Sequence, residues 1–92
     1  MATGRKMDRA NRLKRLKIRA WRRGTKEMDL ILGKFTDAQA ADMSDEMLDH
    51  LEVFMEENDH DLYQWISGQT PAPQAFDKLV KDIAQYTTPD LN

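Results

Sequence analysis

The sequence predicts an all-α fold, a compact bundle of about five short helices. Three observations lead there. Apolar residues recur at helical spacing in every patterned segment, no stretch shows the strict alternation of a half-buried strand, and β-branched residues are sparse. The chain has 92 residues, enough for one domain and too few for two. We expect a flexible basic N-terminus over 1–8, a single helical domain over 9–88 and a loose tail over 89–92.

The first helix is expected from about Arg9 to Arg22, with Leu13, Leu16, Ala20 and Trp21 on its apolar face. Gly24 punctuates it, because glycine stops a helix at little cost and permits φ > 0. Thr25 caps the second helix, and Glu27 sits in its first turn, where the dipole favours an anion. Met28, Ile31, Leu32 and Phe35 follow the i, i+3, i+4, i+7 rule. Gly33 interrupts that pattern at a cost of about 1 kcal/mol against alanine, which suggests a close approach by a neighbouring element. The stretch TDAQAAD either extends this helix or ends it.

Ser44 caps the third helix, with Asp45 and Glu46 behind it and Met47, Leu48, Leu51, Phe54 and Met55 as its stripe. Asn58 and Asp59 break that helix and cap a fourth, which carries Leu62, Trp65 and Ile66 and closes at Gly68. Pro73 suits the first turn of a fifth helix, whose stripe is Phe76, Leu79, Val80 and Ile83. Thr87, Thr88 and Pro89 are expected to end it.

The net charge of −2 hides a split. Residues 1–26 hold eleven basic residues against Asp8 alone, or +10, and the other 66 hold three basic and fifteen acidic, or −12. Such asymmetry suggests a partner that reads one end of the molecule, although the basic end would equally solvate a helix or offset the protein's own acidic helices. No window is apolar enough for a transmembrane helix, and the N-terminus lacks the apolar core of a secretory signal. The sequence contains no cysteine, which removes disulfides, thiolate metal sites and a nucleophilic thiol. A cytoplasmic location, or the mitochondrial matrix in a eukaryote, is compatible with that.

Chemistry is scarce. His50 and His60 lie ten residues apart with no ligand pattern around them, and the acidic residues show no calcium-loop spacing. Ser44 and Ser67 have no nucleophile motif, and Gly4, Gly24, Gly33 and Gly68 are isolated rather than gathered into a phosphate loop. No acid/base pair emerges, so we expect no catalytic residue, no metal and no enzyme activity. The basic first helix suits phosphates, but the −12 remainder would repel a duplex, and no nucleic-acid-binding signature is present. Trp21 among arginines would suit base stacking, yet its spacing assigns it to the core.

The corner WRRGTKEMDLILGKF stands out. Arg22, Arg23, Glu27 and Asp29 crowd a glycine turn, and the Met28 stripe should leave Glu27 and Asp29 pointing outward. A guanidinium beside a carboxylate makes a paired recognition surface, whereas an Arg23–Glu27 pair that only stapled the corner would contribute about 0–1 kcal/mol.

Arg23-Gly24-Thr25-Lys26-Glu27 matches the R-G-x-x-E motif of the SdhE family of succinate dehydrogenase assembly factors. Arg22 before it, Met28-Asp29-Leu30 after it, and Leu32 and Phe35 continue that family's pattern. EENDHDLYQWI, from Glu56 to Ile66, resembles the family's acidic stretch followed by D-L-x-x-W. The resemblance runs from about residue 12 to 86. It implies a five-helix protein that binds the flavoprotein subunit of succinate dehydrogenase, in some members that of fumarate reductase, and promotes covalent attachment of FAD to a histidine of that subunit. The FAD would belong to the partner, leaving this chain without a cofactor of its own. The resemblance implies that the corner faces the flavoprotein near its flavin. Arg23 and Glu27 would then make charge-assisted contacts, Gly24 would allow close backbone approach, Asp29 would extend the face, and Arg19 and Arg22 would add electrostatic steering. Asp61, Tyr63 and Trp65 are secondary candidates. We expect a monomer. Two alternatives stand beside this reading: a small nucleic-acid-binding protein that uses the basic helix, and an antitoxin-like protein-interaction module.

Overall fold

The computed structural model describes the backbone of residues 2–91 and the side chains of residues 9–86. Five α-helices and two short 3-10 turns account for the regular structure, and the described residues contain no strand. The chain divides into two compact units, residues 1–42 and 43–92.

The first unit is a helical hairpin. Helix α1 spans Ala2–Trp21, and α2 spans Lys26–Gln39 and tightens into a 3-10 turn over Ala40–Asp42. The two run antiparallel. Arg9, early in α1, donates to the Ala41 carbonyl at 3.2 Å, while Trp21 at its far end lies over Gly33. Leu16 and Ala20 are buried on α1, with Met28, Ile31, Leu32 and Phe35 on α2. The expected stripes are therefore largely the observed ones: on α1, Leu13 is only half-buried, and Trp21 is 38% exposed. It stands roughly 100° round the helix from Ala20, at the margin of the buried face rather than within it.

Helix α1 starts at Ala2 rather than near Arg9. Nothing in residues 2–8 forbids this, since the segment lacks proline and a formed helix extends at little cost per residue. TDAQAAD continues α2 to Gln39 before the 3-10 turn. Thr36 is fully buried on this helix, and its Oγ1 has no hydrogen-bond partner among the described residues.

The second unit holds α3 (Asp45–Met55), α4 (Asp59–Ser67), a 3-10 turn over Gln74–Phe76 and α5 (Asp77–Leu91). The starts of α3 and α4 are capped as the sequence indicates. The Ser44 hydroxyl accepts from the Met47 N–H at 3.1 Å, and the Asn58 side chain accepts from the His60 N–H at 2.8 Å. Each satisfies a donor that the first helical turn leaves without an intrahelical acceptor. Gly68 ends α4 in the left-handed region, φ +85°, and the following Gln69 N–H donates to the Gln64 carbonyl at 2.9 Å. Leu48, Leu51, Phe54 and Met55 are buried, as are Leu62, Ile66, Leu79, Val80 and Ile83. Phe76 joins them from the 3-10 turn, edge-on to Phe54 at 5.2 Å between ring centroids.

Pro73 precedes that 3-10 turn instead of opening α5. The last helix also runs past Thr87 and Thr88 and through Pro89 to Leu91, so the expected stop is not where the backbone leaves the helix. Proline removes one N–H and crowds the carbonyl four residues back, but with the helix ending at Leu91 this touches only its last turn. Of the expected tail, Asn92 lies outside the described residues, as does Met1 at the other end.

Candidate partner-binding site

The corner between α1 and α2 is built in four steps. At the end of α1, the Arg22 N–H donates to the Arg19 carbonyl at 3.3 Å, a closing 3-10 bond. Gly24 then takes φ +106°, a conformation that side chains rarely adopt, and a Cβ added there would meet nothing within 4 Å. The turn itself demands glycine, and the space beside it is open. Thr25 is extended, and its hydroxyl accepts from the Met28 N–H at 3.3 Å while its carbonyl accepts from the Asp29 N–H at 2.9 Å. Finally the Asp29 carboxylate turns back to accept the Arg23 N–H at 2.5 Å.

This last bond revises the role expected of Asp29. Rather than extending an outward face beside Glu27, it is half-buried and ties α2 to the chain leaving α1. A charge-assisted bond to backbone fixes the corner's shape. Glu27 and Arg22 are exposed and Arg23 is half-buried. The helix dipoles favour the arrangement. The partly negative end of α1 meets Arg19, Arg22 and Arg23, and the partly positive end of α2 meets Glu27 and Asp29. The corner thus presents exposed charge of both signs on a hydrogen-bonded turn, which suits recognition of a partner surface.

One feature escaped the sequence reading. Trp21 is not a core residue: its indole N–H donates to the Asp37 carboxylate at 3.0 Å, and its ring covers Gly33. A Cβ on Gly33 would overlap that ring, which is the close approach that the interrupted stripe suggests. The signal for Trp21 was its place directly after Ala20, one residue off the buried stripe.

Asp61 is exposed on α4, in the second unit. Tyr63 and Trp65 are half-buried on the same helix. Trp65 packs 6.3 Å from Phe54 and 6.1 Å from Phe76 between ring centroids, which makes it part of that unit's core. His50 also lies against Phe76, at 5.3 Å, and His60 faces the Gln64 amide at 3.3 Å, so both histidines have ordinary structural surroundings. The described residues contain no group of three or more histidine and acidic side chains able to hold a metal. None of their helices is long and apolar enough to cross a membrane.

A family model described as Sdh5, flavinator of succinate dehydrogenase, matches residues 14–87, which include the whole corner. The chain belongs to this family. Among curated relatives of this Sdh5-family chain is the FAD assembly factor SdhE of Acetobacter pasteurianus, 42% identical over 65 residues, which are 71% of this chain and 60% of that protein. The mitochondrial succinate dehydrogenase assembly factor 2 of Aspergillus terreus is 39% identical over 57 residues, 62% of this chain and 19% of that protein. Its counterpart in Schizosaccharomyces pombe is 29% identical over 82 residues, covering 87% of this chain and 59% of that protein. The chain thus spans at most three fifths of these relatives' lengths. No solved structure matches it.

Proposed function

We propose that this chain is an assembly factor that binds the flavoprotein subunit of succinate dehydrogenase and promotes covalent attachment of FAD to it. The observation that carries this reading is the corner itself. Arg22, Arg23 and Glu27 stand on a turn held by Gly24, Thr25 and Asp29, within the segment that the family model spans.

Covalent attachment needs the flavin methyl group held close to an acceptor histidine and stabilisation of the negative charge that develops on the ring. The histidine and the FAD are the partner's, and this chain acts as a clamp. Arg23 and Glu27 make charge-assisted contacts to the flavoprotein and hold it where the attachment geometry is populated. Gly24 lets the partner approach the backbone. Asp29 acts indirectly, by holding the Arg23 backbone in place. Arg19 and Arg22 steer the encounter. Asp61, on the other unit, is a secondary contact. The chain itself performs no catalysis in this scheme and works as a monomer in the cytoplasm, or in the mitochondrial matrix of a eukaryote. The flavoprotein of fumarate reductase is a second client.

The test is co-expression with the cognate flavoprotein subunit, read as in-gel flavin fluorescence after denaturation. Wild type and Glu27→Ala are compared with no factor. Glu27 is exposed, so its removal leaves the fold intact. A covalent signal that needs the wild-type chain and falls in Glu27→Ala supports the reading. Equal signal in all three lanes with no co-purifying complex overturns it, and steeply salt-dependent binding to nucleic acid in its place would favour the basic-helix alternative.

A further inference from the structure

The corner supplies charge, but stable protein interfaces draw most of their energy from a few desolvated aromatic or apolar anchors ringed by polar groups. The first unit exposes such a group beside the corner. Trp21 is 38% exposed although it is held twice, by its N–H bond to Asp37 and by contact of its ring with Gly33. An exposed indole already fixed in one position loses little freedom when a partner covers it. Ile18, 53% exposed, stands one turn before it on the same side of α1. Leu30, 38% exposed, stands one turn before Gly33 on α2. It also lies three residues after Glu27, which places it on the side of α2 that carries the charged corner.

We infer that Trp21, with Ile18 and Leu30, is the apolar anchor of the flavoprotein-binding face, and that Arg22, Glu27 and Lys34 form part of its charged rim. The inference rests on the proposed function and adds to it the centre of the interface. Lys14 and Lys17 sit seven and four residues before Trp21, on its side of α1, and both are exposed. The rim is thus mainly cationic. The complementary feature on the flavoprotein is an apolar side chain set among carboxylates, and it seats against the free face of the indole.

The test uses purified full-length chain and purified flavoprotein subunit, with association and dissociation rates read by surface plasmon resonance. Trp21→Ala should weaken binding tenfold to a hundredfold, on the order expected for a hot-spot aromatic, chiefly through faster dissociation. Ile18→Ser and Leu30→Ser should each weaken it several-fold, and Val53→Ser, on α3, should not. Lys17→Ala should instead slow association and flatten its salt dependence. Thermal melts by circular dichroism accompany each variant. If Trp21→Ala fails to fold, the two serine variants decide, because both side chains are already exposed. Unchanged binding in these variants while Glu27→Ala still loses it overturns the anchor and leaves the proposed function standing. No binding by wild type overturns both. Concentration-dependent dimers that the same substitutions abolish would assign the patch to a second copy of this chain and overturn the inference.

Discussion

Gly33→Ala is the substitution whose expected sign departs most from the ordinary rule. In the interior of a helix, alanine for glycine normally stabilises by about 1 kcal/mol. At Gly33 the added Cβ would overlap the Trp21 ring, so the indole must leave its seat. With Trp21 38% exposed, most of a large side chain is covered. If displacement uncovers on the order of 100 Å² of ring, the loss is about 2.5 kcal/mol at the usual area coefficient. The exposed indole–Asp37 hydrogen bond adds about 0.5–1 kcal/mol. Set against the propensity gain, the net expectation is a loss of about 2 kcal/mol. For a chain of this size that lowers the melting midpoint by about 10 °C. The decisive assay is a double-mutant cycle measured by chemical and thermal unfolding. In a Trp21→Ala background the obstacle is gone, and Gly33→Ala should then stabilise by about 0.5–1 kcal/mol. If Gly33→Ala stabilises both backgrounds alike, the ring is not seated on Gly33 and the reasoning is refuted, together with the rigid platform that the interface anchor requires.

Thr36→Val should raise stability by about 1 kcal/mol, because it replaces a buried hydroxyl that has no hydrogen-bond partner among the described residues with a methyl of similar shape. A lower midpoint in urea unfolding would mean that the hydroxyl is satisfied. Gly24→Ala should destabilise by about 1–2 kcal/mol, purely through the positive φ, since the space around that Cβ is open. Unchanged melting would contradict this. Asn58→Ala removes the cap of α4 and should cost about 1 kcal/mol, with faster amide exchange confined to the first turn of that helix. Uniformly faster exchange through the whole chain would point to a wider role.

The helical class, the stripes on α2 and α3, and the caps Thr25, Ser44 and Asn58 were legible because each follows from neighbours within one or two turns. The R-G-x-x-E corner was legible for the same reason, being contiguous in the chain. Helix ends were less so. Near the ends of α1 and α5 the local preferences are weak, and neither residues 2–8 nor Pro89 marks the boundary that its residue types suggest.

Sequence by itself determined which residues seek burial and which turn needs glycine, because both are properties of side chains and local backbone. It placed Arg23, Gly24 and Glu27 together without help. Only the tertiary structure decided where Asp29 and Trp21 point. Asp29 turns inward because the hairpin brings the Arg23 N–H to its carboxylate, six residues back along the chain. Trp21 stays at the surface because α2 offers it a bare glycine and an aspartate sixteen residues away. Periodicity reports the angle at which a side chain leaves its own helix. It carries no information about what the neighbouring helix presents there, and that presentation separates a core tryptophan from an exposed anchor.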